Sequence, residues 1–560
     1  MAKSISSLAK TKNPRGLRFV AIGQCGALLL AGVLAVLSQA NCSISHGFTT
    51  QKTSGGRNEI TVQPDGDLQA ALKAAQPGDT IILVAGAEYR GPFVLPNKGA
   101  GTGKDADFIT IRTSEVSGIS PEGERISPQA HQRSMARIVS PARQSAINTE
   151  EQAHHYKFIG IEFAPAADAS YVYNVIDLGS SSYDSLSQFP HHLVFDRCYI
   201  HSTGLNKARR GLALNTAETT LVNSYVSGFA GDGDETQAVA GWAGPGPFHI
   251  INNFLEGGAE VLLFGGADPS VSNLVPSDIE IRNNYFHKPI SWQGKATIKG
   301  TLELKNARRV LIEGNLLESE ILVTALVVTV RNQDGRAPWS TIEDVEIKNN
   351  IVHHASTGVN ILGKDTDHPS QEARRIKIVN NLFVDIVNPG DMAYFLQVNG
   401  TDSLSVDHNT VQQNGNIISS YGQPAKNFGF QNNIVQYNLY GIACFIQGPT
   451  CPDMPYCNCF PGAKMKGNIV ADNANVSASN PLDKAFPPGN FLVRSYAELG
   501  FIEGGRATPG DTNTNYGNWQ LGTRSQYSRK ATDGKDPGID YGELTTSGVL
   551  NAKSGVRRKP

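Results

Sequence analysis

A pattern of apolar and polar positions around a twin asparagine repeats through the second half of the chain. Segments such as "IINNFLE", "IRNNYFH" and "IKNNIVH" share an apolar residue three positions before the second Asn and another two positions after it. The stretch before the Asn alternates between apolar and polar residues, which is the period of a half-buried β-strand. The second Asn, or its equivalent, lies at Asn253, Asn284, Asn315, Asn350, Asn381, Asn409, Asn433 and Asn468, with weaker copies at Cys198 and Ser224.

The spacing of these anchor residues is 31, 31, 35, 31, 28, 24 and 35 residues along the eight strong copies. A unit of this length with short strands cannot bury its apolar face alone, whereas stacked units can. Asn suits a corner between strands because it tolerates left-handed backbone angles, and equivalent Asn side chains in neighbouring coils can hydrogen-bond as a ladder. The pattern predicts an all-β solenoid, a parallel β-helix of about ten or eleven coils.

The segment "GDLQAALKAAQPGDTIILV", residues 66–84, predicts a cap for one end of this solenoid. Leu68, Ala71, Leu72 and Ala75 lie on one face of a helix that Pro77-Gly78 ends, and "TIILV" begins the first strand. An open first coil would expose both core and strand edge, so a capping helix is expected there.

The termini differ from the repeat region. Basic residues precede the apolar run "FVAIGQCGALLLAGVLAVL", and small residues end at Ala40, as in a cleaved signal peptide. An uncleaved membrane anchor is the alternative, because this run can just span a bilayer. The predicted organisation is a signal peptide over 1–40, a linker over 41–58, the β-helix over 59–475, and an irregular segment over 476–560 that covers the end of the helix. The protein is therefore expected to be secreted or periplasmic, and free of the membrane after cleavage.

Charge and cysteine content limit the partners. The formal net charge is only −2, which gives no general attraction for nucleic acid. Four cysteines are concentrated in "CFIQGPTCPDMPYCNC", residues 444–459. Disulfides of undetermined pairing are expected there in an exported protein. A metal-binding knot is the alternative, although the spacing lacks the CxxC pairs typical of zinc sites.

The opening of the repeat region resembles a known family. The helix, "PGDTI", "GAEY" and a Gly-Pro turn are similar to the start of pectin-lyase-like right-handed β-helix proteins, notably polysaccharide lyases of the chondroitinase B and alginate lyase type. The likeness covers residues 60 to 470 approximately. It implies a right-handed parallel β-helix and an acidic, uronate-containing polysaccharide as the partner, although one fold can carry different functions.

Lys305 and Arg331 are the candidate catalytic residues. In "GTLELKN", Leu302 and Leu304 take the inward parity, so Glu303 and Lys305 face outward, and Arg331 follows 26 residues later in an outward position. Such lyases carry a Lys in one coil and an Arg in the next. The resemblance implies that the Lys removes the C5 proton of a uronic acid and that the Arg assists departure of O4.

A divalent cation completes this implied site. Proton removal beside a carboxylate needs positive charge to stabilise the enolate-like anion. In the resembling lyases acidic residues hold Ca²⁺ for this purpose, and Glu260 and Glu303 are the candidate ligands here. The sequence departs from the family in that Asn306 follows the Lys in place of a small hydroxyl residue, and Asn332-Gln333 follow the Arg in place of His-Gly. The alternative is that these are ordinary charged residues on an exposed strand.

Two further sets of residues are candidates for substrate binding. Glu256, His287, Glu318 and His353 lie three residues after successive anchors, so they are expected to form a row on one outer face, about 5 Å apart. This row could share a cation, or it could be a solvated polar ladder. Trp242, Trp292 and Trp339 lie in Gly/Pro-containing stretches, where they could stack on sugar rings or pack loops.

The sequence thus predicts an exported β-helix that binds an acidic polysaccharide and cleaves it by β-elimination. The predicted site comprises Lys305 and Arg331 as catalytic residues, Trp292, Trp339, His287 and His353 for substrate, and Glu260 and Glu303 for Ca²⁺. The competing prediction is a non-catalytic solenoid, either carbohydrate-binding or structural.

Overall fold

Three parallel sheets make up most of the described structure. The computed structural model describes residues 47–99, 107–438, 440–448, 456–471, 486–502, 516 and 519–555. The predicted signal peptide lies outside these ranges. Successive strands of the chain pass from one sheet to the next and return one coil later to pair in parallel. This is the predicted right-handed parallel β-helix.

Sheet 1 contains the strands that precede the Asn corner. The first two strands pair antiparallel and every later pair is parallel. In spatial order the strands are Phe48–Lys52, Asn58–Val62, Thr80–Leu83, Ile109–Thr113, His154–Ile159, His191–Asp196, Thr219–Val222, Phe248–Ile251, Ser277–Arg282, Ala307–Glu313, Ile342–Lys348, Arg374–Val379, Thr401–Asp407, Gly429–Gln431 and Lys464–Lys466, with Ala425–Lys426 beside Thr401–Asp407.

Sheet 2 contains the strands that follow the Asn corner. Its strands are Glu88–Arg90, Ala136–Ser140, Ile161–Pro165, Tyr199–His201, Tyr225–Phe229, Phe254–Gly257, Tyr285–Lys288, Leu316–Ser319, Ile351–Ala355, Leu382–Ile386, Thr410–Gln413, Ile434–Gln436, Ile469–Ala471 and Phe491–Val493.

Sheet 3 closes each coil. Its strands are Phe93–Leu95, Ile147–Thr149, Val172–Gly179, Ala208–Asn215, Gln237–Gly241, Leu262–Phe264, Leu302–Leu304, Thr324–Thr329, Thr357–Leu362, Tyr394–Asn399, Asn416–Ser420 and Ile442–Cys444. The described residues therefore form twelve coils with a strand in every sheet, more than the ten or eleven predicted. The early coils lack the Asn anchor, so the repeat pattern missed them.

Helices are few and short among the described residues. The α-helices there are Leu68–Ala74, Pro128–His131 and Tyr541–Thr546, and the 3₁₀ helices are Val116–Gly118, Gln132–Ser134, Leu186–Gln188, Ile290–Trp292, Tyr496–Glu498 and Val549–Asn551. The first is the predicted cap: Asp67 accepts a hydrogen bond from the Ala70 N–H, and Leu68, Ala71 and Leu72 join the core. Across the described ranges, no helix combines the length and apolar character needed to cross a bilayer.

The Asn ladder is present and continuous. From Asn284 onward, each anchor Asn accepts from the backbone N–H and the Nδ2 of the anchor one coil earlier; for Asn284 and Asn315 these distances are 2.9 and 3.0 Å. The left-handed backbone angle belongs to the residue before the anchor, such as Asn283 with φ 56° or Gly314 with φ 66°. The first Asn of each twin therefore turns the corner, and the second carries the ladder.

The predicted inward side chains form the core. Those three and five positions before each strong anchor and two positions after it are at most 6% exposed. They belong to one cluster that runs through the coils from the capping helix to Phe486. Burial of these stacked apolar rows is the main stabilising force of the fold.

Both predicted flanking segments need correction. Phe48–Lys52, inside the predicted linker, is a strand that pairs with Asn58–Val62. The C-terminal segment does not simply cover the end of the helix. Its residues Trp519, Ile539 and Val549 pack along the side of the β-helix, against outward side chains of sheet 2. A local sequence pattern does not show which surface such an irregular segment covers.

The cysteines separate into two kinds. Cys444 and Cys459 form a disulfide with a Cα–Cα distance of 5.9 Å, which supports the disulfide interpretation of this cluster. Cys198, at a weak anchor position, is a free and fully buried thiol. Burial raises its pKa to about 12, so it is an inert core residue.

Candidate functional site on the outer face of sheet 3

A chain of polar side chains crosses four coils on the outer face of sheet 3. Arg210 Nε donates to Gln237 Oε1 at 2.7 Å, and Gln237 Nε2 donates to Glu260 Oε2 at 2.8 Å. In the next coil, Lys305 Nζ lies 3.8 Å from Glu303 Oε1. Gln237 and Glu260 are fully buried, and Arg210 and Glu303 are each only 8% exposed. This density of charge is unusual for an exposed strand and marks a candidate site.

A β-bulge places Gln237 and Glu260 outward. The N–H groups of Ala238 and Val239 both donate to the carbonyl of Val261, so two residues occupy one step of the ladder. The side chains of Ala238 and Val239 both enter the core. Gln237, the residue before them, therefore faces outward, although regular alternation would place it inward. The same arrangement occurs one coil later, where Val261 and Leu262 are both buried and Glu260 precedes them.

Glu303 is the most perturbed acid of this cluster. Burial raises its pKa, Lys305 opposes the rise, and the adjacent Glu260 adds to it, so that the pKa lies at about 7. Glu303 also lines a shallow cavity of about 320 Å³ together with Lys299, Thr324 and Val327. A carboxyl that titrates near neutral pH and faces an open cavity can exchange protons with a ligand or take a cation.

The pair Glu260 and Glu303 fits a hard divalent cation. Two carboxyl groups lie together, and Glu260 Oε1 is buried without a hydrogen bond from any described residue. Ca²⁺ prefers carboxylate and carbonyl oxygens, and its charge would relieve the repulsion between the two acids. The donor chemistry therefore fits the cation that the family resemblance implies.

Lys305 owes its position to a glycine turn in the preceding coil. Its backbone N–H donates to the Phe264 carbonyl at 2.7 Å, directly before Gly265 and Gly266. A Cβ on Gly265 would lie 2.8 Å from the Cβ of Lys305, and both glycines have positive φ. Only glycine lets the backbone pass this close, so the turn makes room for the lysine stem.

The backbones of Arg331 and Lys305 are hydrogen-bonded to each other, but the Arg331 side chain contacts a different residue. The Arg331 N–H donates to the Lys305 carbonyl at 2.9 Å, which confirms that they lie on neighbouring coils. The Arg331 guanidinium pairs with Asp365 through Nη1 at 3.2 Å. Asp365 also accepts from the N–H groups of Asn332 and Asp367. The guanidinium is thus held towards the following coil.

The tryptophans differ in their surroundings. Trp292 is 8% exposed and packs with Ala230, Ile321 and Val323, so it is a loop-packing residue and offers no platform for a sugar ring. Trp339 is half-buried and its Nε1 donates to the Leu274 carbonyl at 2.9 Å.

Trp242, in contrast, borders the polar chain. The guanidinium of Arg210 lies 5.1 Å from the centre of the Trp242 ring. Tyr173 approaches the same guanidinium, with its ring centre at 5.3 Å. These aromatic rings hold Arg210 by cation–π contacts at the edge of the candidate site.

The predicted row of acids and imidazoles is in register but is not a solvated ladder. Glu256, His287, Glu318 and His353 lie opposite one another on successive strands of sheet 2. Lys553 and Tyr516 of the C-terminal segment contact Glu318 at 3.0 and 3.1 Å.

The charge of Glu318 is stabilised by these contacts. Burial alone would raise its pKa, but hydrogen bonds from His353, Tyr285 and Lys553 outweigh burial and hold the pKa well below its usual range. The row therefore anchors the C-terminal segment to sheet 2, and the structure does not bring His287 and His353 together with Lys305.

Lys288 is a residue that the sequence pattern did not single out. It takes an inward parity at the end of its strand, is fully buried, and donates to the carbonyls of Gly257 at 2.7 Å, Gly258 and Ala259 at 3.2 Å. Burial lowers its pKa to about 7, against the opposing charge of Glu260. It fixes the turn that leads into Glu260, whereas the sequence shows only a lysine after a histidine.

A pH-dependent stability follows from Glu303. Because its folded pKa of about 7 exceeds the ordinary 4.5, the folded state binds the proton more tightly, and stability is lost as pH rises from 4.5 to 7. Glu303→Gln is expected to remove this loss and to stabilise the protein by about 2 kcal/mol at pH 8 relative to wild type, with little difference at pH 4.5. Thermal unfolding across this pH range, without divalent cations, measures the effect.

The control for this prediction is Glu346→Gln, which changes a partly exposed glutamate of sheet 1. Its effect on stability is expected to be small. An equal pH dependence for Glu303→Gln and wild type would contradict the assigned titration.

Comparison with known proteins finds only distant structural similarities. No family model matches the chain, and neither does any curated protein sequence. Among solved structures, the chain is similar to a mannuronic acid specific polysaccharide family 6 lyase from human gut microbiota, with 12% identity, coverage of 78% of this chain and 91% of that one, and a TM-score of 0.45.

Two other solved structures show a similar likeness. An alginate lyase from Paenibacillus sp. str. FPU-7 has 15% identity, with 58% of this chain and 94% of that one covered and a TM-score of 0.36. An alpha-1,3-glucanase of Streptomyces thermodiastaticus strain HF3-3 has 12% identity, with 77% and 69% covered and a TM-score of 0.47. The assignment of this chain to the parallel β-helix class rests on its own strand order.

Proposed function

We propose that this protein is an exported enzyme that binds an acidic, uronate-containing polysaccharide and cleaves it by β-elimination, with Lys305 as the base. The observation that carries the proposal is the outward lysine 3.8 Å from a buried carboxyl of raised pKa, beside a second acid and one coil from Arg331. The disulfide between Cys444 and Cys459 supports export, because such bonds persist in oxidising compartments.

The residues have distinct roles in this mechanism. Lys305 in its neutral form takes the C5 proton, the electrons of the C5–H bond form the C4=C5 double bond, and the C4–O4 bond breaks. Arg331 donates a hydrogen bond to the leaving oxygen; its contacts to Asp365 and Thr366 use Nη1, and the guanidinium has further N–H donors. Glu260 and Glu303 would hold Ca²⁺, which supplies positive charge to the sugar carboxylate.

The test is a panel of alginate, pectate and glycosaminoglycans, each with Ca²⁺ or a chelator, monitored by ultraviolet absorbance of unsaturated products. Lys305→Ala is expected to lower kcat/KM by about a hundredfold or more, because a general base is lost. Lys377→Ala, at an exposed position of sheet 1, is the matched control and should retain activity. Full activity of Lys305→Ala would refute the assigned base.

A second candidate is a non-catalytic carbohydrate-binding or structural solenoid. The pairing of Arg331 with Asp365 favours it, because that guanidinium is already neutralised. This candidate predicts retention of an acidic polysaccharide on the protein without new reducing ends for any polymer of the panel. The same assay therefore separates the two candidates.

A further inference from the structure

Two twin histidines lie side by side on sheet 1, remote in sequence from the residues of the candidate site. His154-His155 and His191-His192 occupy neighbouring strands, with His154 opposite His191 in the register. The rings of His154 and His191 are stacked with centres 4.9 Å apart, and those of His155 and His192 are stacked at 4.4 Å. Four imidazoles therefore form one compact cluster.

The backbone explains why both members of each twin face the same way. Consecutive side chains of a regular strand point to opposite faces. Here the second histidine of each twin has a left-handed backbone, with φ 58° at His155 and 54° at His192. This conformation brings each pair of Nδ1 atoms to 2.7 Å. The same left-handed angle recurs at the equivalent positions of later coils, Asp278, Arg309, Asp344 and Arg375, so it is a regular feature of sheet 1.

Hydrogen bonds orient two of the rings from outside the cluster. His154 Nε2 lies 2.6 Å from the Gly99 carbonyl, which can only accept, so this nitrogen carries the proton. His192 Nε2 lies 3.3 Å from Glu218 Oε2. Metal-binding histidines usually give their other ring nitrogen to a carbonyl or carboxylate in this way, because the contact fixes the tautomer and the ring orientation.

The ring nitrogens are also close enough to share one ion. One ring nitrogen from each of His155, His191 and His192 lies within 4.8 Å of the others. His155 is buried, whereas His191 and His192 are half-buried, so the cluster has access to solvent on one side.

We propose that His155, His191 and His192 form a binding site for a divalent transition-metal ion of the zinc and copper class. Imidazole suits these borderline ions, whereas Ca²⁺ and Mg²⁺ require oxygen ligands. The geometry also leaves the fourth tetrahedral position to water or to His154. A bound ion would link two consecutive coils of sheet 1 through their histidine side chains. This metal binding is independent of the proposed lyase activity.

The experiment uses the full chain after chelator treatment, with Zn²⁺ binding followed by calorimetry and by metal analysis. One Zn²⁺ per chain is expected, together with a rise in Tm because the ion binds the folded state. His155→Ala with His192→Ala should weaken Zn²⁺ binding by more than about 100-fold, because two of three ligands are lost. His249→Ala removes another sheet 1 imidazole and should leave binding unchanged.

A second variant keeps the test independent of folding. Glu218→Gln alters a half-buried carboxylate outside the cluster. This variant should weaken Zn²⁺ binding by about 10-fold, because the Glu218 carboxylate orients His192 and is not itself a ligand. Glu303→Gln should keep full Zn²⁺ binding, which separates this site from the proposed Ca²⁺ ligands. Absence of stoichiometric Zn²⁺ in the wild type, or unchanged affinity in the double histidine variant, would overturn the proposal.

Discussion

Replacement of Asn315 by Ala is expected to lower the free energy of unfolding by about 4 kcal/mol, because the side chain makes four buried hydrogen bonds. Its Nδ2 donates to the Ile281 carbonyl at 2.7 Å and to Asn350 Oδ1 at 3.0 Å. Its Oδ1 accepts from the N–H of Asn284 at 2.9 Å and from Asn284 Nδ2 at 3.0 Å. Alanine would leave the buried Asn284 N–H without an acceptor, and Asn284 Nδ2 would keep only its bond to the Ile250 carbonyl.

The measurement is denaturant unfolding together with hydrogen exchange of the Asn284 N–H, which should lose its protection first. Asn360→Ala is the matched control, since Asn360 lies on the outer side of sheet 3, two coils along from Glu303, and is not part of the ladder. Its effect should remain within about 0.5 kcal/mol. Equal losses in the two variants would show that the ladder does not stabilise the stack.

The ladder is also the part of the fold that the sequence predicted best. The alternation of apolar and polar residues before the anchor, and the apolar residue two positions after it, define which side chains face inward. Each strong coil has the same pattern. Which member of the twin takes the left-handed angle could not be predicted, because a pattern of two Asn does not reveal which one turns. The coils before Cys198 were not counted, because Phe158 and similar apolar residues preserve the core without an Asn.

The candidate site was only partly predictable. Parity correctly placed Glu303 beside Lys305, since they are two residues apart on one strand. Parity fails for Glu260 and Gln237, because a bulge reverses it and no sequence signal marks the bulge. The spacing of Arg210, Gln237 and Glu260 at 27 and 23 residues, near one coil each, is the signal that would have grouped them.

Long-range packing accounts for the remaining differences. The row from Glu256 to His353 was predicted in the correct register, but its covering by Lys553 depends on contacts 235 residues apart in sequence. The twin histidines carry a local signal, an "HH" pair repeated 37 residues later, which is one coil. The histidines can act together as ligands only because the backbone directs both rings of each twin to one side of the sheet.

Lys288→Met is the second substitution with a large expected effect, a loss of about 4 kcal/mol at pH 8. Met keeps most of the side-chain volume but removes the donor to three buried carbonyls, of Gly257, Gly258 and Ala259. Thermal and denaturant unfolding measure the loss, and Lys295→Met, at an exposed position in the following loop, is the control.

The pH dependence of this loss identifies the titrating amine of Lys288 as its cause. Burial depresses the folded pKa of Lys288 to about 7, so between pH 7 and 10.5 the unfolded chain binds the extra proton and wild-type stability rises with pH. Lys288→Met lacks this rise, so the difference between the two proteins should increase from pH 7 to 10. A difference independent of pH would mean that packing alone holds the turn. Because that turn carries Glu260, a pH-dependent loss would show that the buried lysine supports the candidate site as well as the fold.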